Sequence, residues 1–264
     1  MQYKQIRSKS LLNKITNKDQ LFIGDYTIDP YQNCEFGCLY CDSSFDATIY
    51  IKSNADILLE KQLQNIEKSM IIVGSVHDPY QKAEEKYKIT RNLLKTIKKH
   101  DFSCHILTKS DLILRDIDIL SGINDCMVTI SITSLDDFIV NIFEKNVPSP
   151  RVRLQTVKKL SNHGIKTGIA VIPILPFIVE NKELENIVKS AYENQAQYVL
   201  YKHLELKGDQ KNVFIEALKK FYPDLVNKYE KLYKDSYMPN HDYILSLNKN
   251  MDKLCKKYNI RNKI

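Results

Sequence analysis

The stretch Asn33-Cys-Glu-Phe-Gly-Cys-Leu-Tyr-Cys41 holds three of the six cysteines of the chain within eight residues. The spacing C-x3-C-x2-C lets one loop direct Cys34, Cys38 and Cys41 at a single soft metal centre, because thiolates suit zinc and iron-sulfur clusters. A structural zinc site needs a fourth Cys or His at a compatible spacing, and none follows nearby. Three ligands on a cluster leave one position open, which is a position for chemistry.

The sequence around this stretch alternates short runs rich in Ile and Val with amphipathic helical segments. This pattern is typical of repeated βα units that build a parallel sheet. The cysteines follow the first of six predicted strands. The strands cover residues 21–27, 70–76, 103–108, 126–133, 166–174 and 198–203. The helices between them cover residues 55–67, 83–99, 112–121, 150–163 and 182–194.

Six strands are too few for a closed (β/α)8 barrel. We therefore predict an α/β fold, a partial open (β/α)6 TIM-type barrel with its active site at the C-terminal strand ends. After the sixth strand the pattern is helical only, over residues 211–222, 223–234 and 243–258. The predicted division is a barrel core over residues 1–205 and a C-terminal helical extension over 206–264 that packs on the barrel.

The charge of the chain is concentrated in this extension. The formal net charge is +7, and +6 of it lies from Lys207 onward. That segment also holds six tyrosines, so phosphate neutralisation and base stacking keep a nucleic-acid ligand open, although a solvated basic face explains the same composition. No run reaches the roughly 18 apolar residues that span a bilayer. The N-terminus lacks the apolar stretch of a signal peptide, so we expect a cytoplasmic protein with reduced cysteines.

The cysteine stretch, with Tyr40 directly before the third cysteine, resembles the C-x3-C-x-Y-C motif of the radical S-adenosylmethionine (SAM) superfamily. Further stretches between about residue 9 and residue 235 resemble the branch that includes spore photoproduct lyase. They are Lys9-Ser-Leu-Leu-Asn-Lys14, Asp29-Pro-Tyr-Gln-Asn-Cys34, Asp78-Pro-Tyr-Gln-Lys-Ala-Glu84, Ile106-Leu-Thr-Lys-Ser110, Val128-Thr-Ile-Ser-Ile-Thr133 and Pro148-Ser-Pro-Arg-Val-Arg153.

The resemblance implies a cofactor set. Cys34, Cys38 and Cys41 would hold three irons of a [4Fe-4S] cluster, and the amino and carboxylate groups of SAM would chelate the fourth. Reductive cleavage of SAM would then yield a 5′-deoxyadenosyl radical that abstracts hydrogen from a substrate. The electron would come from an external low-potential donor such as flavodoxin or ferredoxin.

The resemblance also implies a SAM pocket formed by seven residues. They are Tyr40, Gly74, Ser75, His77, Asp78, Lys109 and Ser131. The superfamily often has Gly-Gly-Glu after the second strand, and the acid is missing from that place here. His77 and Asp78 are the substitutes, and we favour Asp78 because a carboxylate accepts hydrogen bonds from an ammonium group. The apolar run 169–173 would line the adenine pocket.

Structural interpretations stand beside these roles. Tyr40 could be an aromatic residue that anchors the loop, and Asp78 could belong to a turn that opens a helix. Lys109 could be a solvated side chain, and residues 169–173 could be ordinary core. Packing roles are predicted for the other three cysteines and for three histidines, with proton transfer as the alternative for the histidines. They are Cys104, Cys126, Cys255, His77, His105 and His203.

The substrate is not predicted. A spore photoproduct lyase is expected to carry a cysteine near the end of the second strand, which returns hydrogen to the product radical. Residues 71–80 contain no cysteine, and Ser75 stands at that place. An O–H bond is too strong to donate hydrogen readily to a carbon radical, so we carry over the cofactor chemistry and assign no catalytic residue. The alternatives are lesion repair of the spore photoproduct lyase type, a non-catalytic zinc module and a nucleic-acid-binding protein with a structural cluster.

Overall fold

The computed structural model of the protein describes residues 1–16, 21–41 and 47–264. Six parallel strands form its centre and lie side by side in the order in which they occur in the chain. They are β3 (Tyr26–Ile28), β6 (Met70–Val73), β7 (Ser103–Thr108), β8 (Cys126–Ser131), β9 (Lys166–Ile174) and β10 (Val199–His203). The short strand β2 (Asn13–Lys14) pairs antiparallel with β3. The described residues leave β2 and β10 at the two edges, so the sheet is the open partial barrel that the sequence predicts.

The central strands form because their sequences are apolar on both faces. All four residues of β6 are buried, and five of the six residues of β8 are buried. Parallel strands that are covered on both sides require such continuous Ile and Val runs. Polar side chains replace the apolar ones where the strands end. Lys109 directly follows β7 and Ser131 is the last residue of β8, at the edge of the sheet where the candidate site lies.

Helices connect the strands and then continue the chain beyond the sheet. The connecting helices are α1 (Ala55–Leu63), α2 (Ala83–Tyr87), α3 (Ile89–Lys99), α4 (Ile117–Leu120), α5 (Asp137–Phe143), α6 (Pro150–Asn162) and α7 (Asn181–Glu193). The C-terminal helices are α8 (Gly208–Phe221), α9 (Val226–Tyr233) and α10 (His241–Lys257). Two short 3-10 turns, Asp111–Asp116 and Pro223–Leu225, precede α4 and α9.

Three predicted elements differ from the structure. The predicted helix 112–121 is a 3-10 turn followed by the four-residue helix α4. The first central strand is Tyr26–Ile28 rather than 21–27, because Phe22 turns into the barrel and packs on His105, with 5.7 Å between the ring centroids. The predicted helix 83–99 is two helices that meet at Lys88, whose φ is 52°. The Glu84 carboxylate accepts hydrogen bonds from the main-chain N–H groups of Thr90 and Arg91 and so caps the second helix.

A second sheet was not predicted. Its strands are β1 (Gln2–Ile6), β5 (Thr48–Lys52) and β4 (Tyr31–Gln32), with β1 parallel and β4 antiparallel to β5. Strand β4 ends directly before the cysteine stretch, and Asn33 donates a hydrogen bond to the carbonyl of Thr48 at 2.8 Å. The cysteine loop therefore starts from this small sheet.

The C-terminal helices share the apolar core of the barrel. Phe214 stacks on Phe143 with ring centroids 5.2 Å apart, and the Tyr229 hydroxyl donates to the carbonyl of Pro176 at 2.6 Å. Tyr229 and Tyr233 are 1% and 2% exposed, so these two tyrosines are packing residues and do not offer their faces to bases. The division at residue 205 stays a prediction. Among the described helices, none combines the length and the apolar character that a membrane span requires.

Candidate functional site

A cavity of about 210 Å³ opens at the C-terminal ends of the central strands. Nine of the ten residues that the sequence predicts as ligands of a metal or of SAM line it, and His77 is the exception. Ala170 and Ile172, from the predicted apolar run, form part of the same wall. Another cavity of about 310 Å³ lies between the loop after β9 and α10, but it contains none of these residues.

The cysteine loop is held on one side by the end of α5. The main-chain N–H of Leu39 donates to the carbonyl of Phe143 at 2.9 Å, and Cys38 forms an antiparallel β-bridge with Glu144. Gly37 supplies a turn at φ 62°. The side chain of Gln210, at the start of α8, donates to the main-chain carbonyl of Tyr40. Both the barrel and the C-terminal helices thus contact this loop.

The cysteine thiols lie in a desolvated environment. Burial, reinforced by Asp78, raises the pKa of Cys34 to about 12, and burial also raises the pKa of Cys38. Binding of a metal must therefore displace protons from these thiols. Burial alone would lower the pKa of Lys109, but Cys38, Glu144 and Asp78 outweigh it and raise that pKa. The cavity therefore keeps one ammonium group at neutral pH.

Zinc and an iron-sulfur cluster place different geometric demands on the three cysteines that line the cavity. Within residues 1–16, 21–41 and 47–264, no group of three or more His, Cys, Asp or Glu side chains is placed to hold a single metal ion. Tetrahedral zinc, with Zn–S bonds of about 2.3 Å, requires its thiolates to converge on one point. The ligands of a [4Fe-4S] cluster bind different irons, which suits three cysteines that line one cavity without meeting at a single point. The residues present fit a cluster better than a mononuclear zinc ion.

A glycine within the loop after β6 and a buried acid at the end of β3 determine the shape of that loop. Gly74 has φ 83°, and a Cβ atom there would lie 2.3 Å from Cδ of Pro79 and 2.8 Å from the carbonyl oxygen of Leu107. Oδ1 of Asp29, at the end of β3, accepts hydrogen bonds from the main-chain N–H groups of Val76 and His77 at 3.0 and 3.1 Å. Sequence reasoning did not assign Asp29; an acid directly after a strand was the available signal.

Asp78 connects the loop after β6 to the end of β7. Its carboxylate accepts hydrogen bonds from the Thr108 hydroxyl at 2.6 Å and from the main-chain N–H groups of Lys109 and Tyr80 at 2.7 and 2.9 Å. Burial raises its pKa. The contact with Tyr80 is the turn that the structural interpretation predicts. A carboxylate has about four acceptor positions, so three hydrogen bonds leave room for one more on Asp78, which also lines the cavity.

Tyr40 lies at the centre of a buried charged network. Its hydroxyl donates to the Glu144 carboxylate, and its ring lies beneath the Lys109 ammonium, 5.8 Å from Nζ to the ring centroid. Glu144 forms an ion pair with Arg153 at 2.7 Å, and both side chains are at most 1% exposed. Burial would raise the pKa of Glu144, but Arg153, Lys109 and the hydrogen bond from Tyr40 lower it. Nothing in the sequence marked Glu144 as part of the site.

The remaining cysteines and the three histidines are not among the described residues that line this cavity. Cys104 and Cys126 are buried neighbours on β7 and β8, with sulfur atoms 3.7 Å apart, and Cys255 is buried in α10. Their predicted packing role is confirmed. His105 lies inside the barrel, where Nε2 is 2.7 Å from the Thr129 hydroxyl, and burial lowers its pKa to about 4. Burial also lowers the pKa of His203 at the end of β10.

The family model of the radical SAM superfamily matches residues 28–191, and the chain belongs to this superfamily. It is therefore a radical SAM enzyme that uses a [4Fe-4S] cluster and SAM. An uncharacterized protein of Mycobacterium tuberculosis strain H37Rv is 25% identical over 257 residues, which covers 90% of this chain and 75% of that protein. An uncharacterized protein of Methanocaldococcus jannaschii is 29% identical over 210 residues, which covers 75% and 77%.

Solved structures share the fold. A spore photoproduct lyase variant with bound AdoMet and dinucleoside spore photoproduct superposes with a TM-score of 0.76 at 16% identity, over 96% of this chain and 78% of that one. Streptococcus suis SuiB bound to S-adenosylmethionine superposes with a TM-score of 0.54 at 16% identity, over 77% and 48%. At these identities the likeness establishes the barrel fold, and the predicted resemblance to the spore photoproduct lyase branch is confirmed at that level.

Proposed function

We propose that Cys34, Cys38 and Cys41 hold the [4Fe-4S] cluster and that the neighbouring cavity binds SAM for hydrogen abstraction from a substrate other than a thymine lesion. When bound, the cluster and SAM supply a 5′-deoxyadenosyl radical. The observation that carries the proposal is the convergence of nine predicted residues from separate loops and strand ends on one cavity.

The proposed roles follow from charge and position. The Lys109 ammonium attracts the SAM carboxylate, and the remaining acceptor position of Asp78 takes the SAM amine. Ser131 at the end of β8 faces the ribose, while Tyr40 meets the adenine through its main chain. Apolar side chains exclude water from the same space, chiefly Phe22, Leu107 and Ile172.

The proposed exclusion of thymine-lesion repair rests on the thiols near the cavity. Ser75 stands where a hydrogen-donating cysteine is expected, and it is exposed, with its hydroxyl donating to Asp29 at 3.0 Å. Cys104 cannot replace that cysteine, because it is fully buried against Cys126 on the helix-facing side of the sheet. Among the described residues that line the cavity, the three proposed cluster ligands are the only cysteines.

Two further features belong to this proposal. An external low-potential donor such as flavodoxin or ferredoxin supplies the electron, and a reducing compartment such as the cytoplasm keeps the thiols available. Nucleic acid is the second candidate ligand, favoured by the basic C-terminal segment. The burial of Tyr229 and Tyr233 removes two of its six tyrosines from base stacking.

The deciding experiment is anaerobic reconstitution with iron and sulfide, followed by incubation with SAM and dithionite. We expect 5′-deoxyadenosine in the wild-type reaction and none from the variant in which Cys34, Cys38 and Cys41 are alanine. Uptake of one zinc ion and no iron would contradict the proposal. Conversion of a spore-photoproduct dinucleotide to two thymidines would contradict the exclusion of lesion repair.

A further inference from the structure

Glu144 contacts the cysteine motif from outside it. Its main chain pairs with Cys38 in the β-bridge, and its carboxylate accepts a hydrogen bond from the hydroxyl of Tyr40, the residue before Cys41. The same carboxylate oxygen accepts a hydrogen bond from the Thr133 hydroxyl at 2.9 Å. One residue thus meets the loop at two points between the second and third cysteines.

We propose that Glu144, oriented by Arg153, is a positioning residue that fixes the cysteine loop through Tyr40 and so presents Cys38 and Cys41 to the cavity. The inference rests on the proposed role of these cysteines as cluster ligands. It assigns no contact between Glu144 and the cofactors. Tyr40 connects the Glu144 carboxylate to the main chain of the cysteine loop.

The geometry supports a positioning role more strongly than a role in stability. A fully buried ion pair is weak evidence for stability, because desolvation of both charges offsets much of their attraction. Such a pair does fix the orientation of the carboxylate relative to the guanidinium. Arg153 also donates to the carbonyl of Ser131 at 2.9 Å, which anchors its guanidinium to the end of β8. The Glu144 carboxylate is therefore held against the rigid sheet, and Tyr40 is held against the carboxylate.

A second buried network of phenol, carboxylate and arginine has none of its side chains among the cavity-lining residues and serves as a control. The Tyr80 hydroxyl donates to the Asp116 carboxylate at 3.1 Å, and Asp116 forms ion pairs with Arg91 and Arg115. Tyr80 is 1% exposed and does not line the cavity. Tyr80→Phe and Tyr40→Phe each delete one phenol hydroxyl that donates to a buried carboxylate, but only Tyr40 belongs to the cysteine loop.

The experiment compares wild type, Tyr40→Phe and Tyr80→Phe after anaerobic reconstitution. The readouts are iron content, the rate at which EDTA removes the cluster, and the SAM dissociation constant of the loaded protein. We expect Tyr40→Phe to lose its cluster about tenfold faster and to bind SAM about tenfold more weakly, the effect of one charge-assisted hydrogen bond. Tyr80→Phe should stay within about twofold of wild type in both measurements.

The outcomes separate the inference from the proposed function. Equal rates and equal SAM affinities for Tyr40→Phe and Tyr80→Phe would overturn the inference alone. A wild-type protein that takes up no cluster would overturn the proposed function and this inference with it. Glu144→Gln provides a second test, because its amide oxygen still accepts from Tyr40. Its cluster should therefore be lost more slowly than that of Glu144→Ala, and the reverse order would contradict positioning by this hydrogen bond.

Discussion

Asp29 accepts a hydrogen bond from the hydroxyl of Ser75 at 3.0 Å, which joins the end of β3 to the loop after β6. The main-chain contacts to Val76 and His77 make this acid the acceptor for three groups of that loop. We predict that Asp29→Ala lowers the free energy of unfolding by about 2 kcal/mol and weakens SAM binding. Ser75→Ala removes one of the three bonds and should cost less than about 1 kcal/mol. Urea unfolding and calorimetric SAM titration measure both effects, and equal losses in the two variants would contradict the prediction.

The cysteines should divide into two groups. Replacing Cys34, Cys38 and Cys41 together by alanine should abolish the brown chromophore, whereas wild type should bind about four irons and four sulfides. The triple replacement of Cys104, Cys126 and Cys255 serves as the control, because these thiols are buried away from the cavity and should leave the cluster in place. Iron analysis and visible absorbance report the result, and loss of iron from both variants would refute the division.

Gly74 and Gly164 form a matched pair, with φ of 83° and 75°. A Cβ atom at Gly164 meets nothing within 4 Å, so Gly164→Ala should cost only the backbone strain of about 1–2 kcal/mol. Gly74→Ala adds the collision with Pro79 and Leu107, and we expect a loss of about 3 kcal/mol or more together with weakened SAM binding. Chemical denaturation tests the difference; similar stabilities would mean that the loop after β6 adapts.

Lys109 should act on SAM and not on the cluster. Lys109→Ala removes the ammonium that remains charged in the cavity, and we expect SAM binding to weaken by roughly 1.5–3 kcal/mol. Asp78→Ala should weaken SAM binding by a comparable amount. Lys253→Ala, an exposed change on α10, is the control and should have no effect. Calorimetry on the loaded protein gives the values, and unchanged SAM affinity in both cavity variants would show that the pocket is placed wrongly.

His105 should make the protein sensitive to acid. Its pKa is about 4 in the folded protein, against an ordinary value of 6.5, so the unfolded chain takes up a proton first as the pH falls. The free energy of unfolding that neutral, buried His105 contributes is fully present above about pH 6.5. It is lost as the pH falls from about 6.5 to about 4, by about 3 kcal/mol in total. His105→Gln should flatten stability against pH in this window, whereas the exposed His163→Gln should not. Urea midpoints from pH 4 to 7 measure the slopes, and parallel curves for His105→Gln and wild type would contradict the assignment.

The sequence predicts the central strands well because burial on both faces leaves a continuous apolar run, as in β6 and β8. It predicts the cavity well because parallel strands bring their C-terminal ends together. It fails where the determining contact is distant in the chain. Glu144 lies 104 residues from Tyr40, and no local pattern connects them. The small sheet contains the two-residue strand β4, which is too short to show an alternation of apolar and polar residues.

The hydrogen bond from Gln210 to the main-chain carbonyl of Tyr40 gives the C-terminal helices a direct connection to the cysteine loop. A displacement of the start of α8 can reach the residue before the third cysteine through the single side chain of Gln210, without passing through a barrel strand. We therefore expect substitutions at the start of α8 to alter the surroundings of Cys41, a proposed cluster ligand, while the barrel strands keep their places.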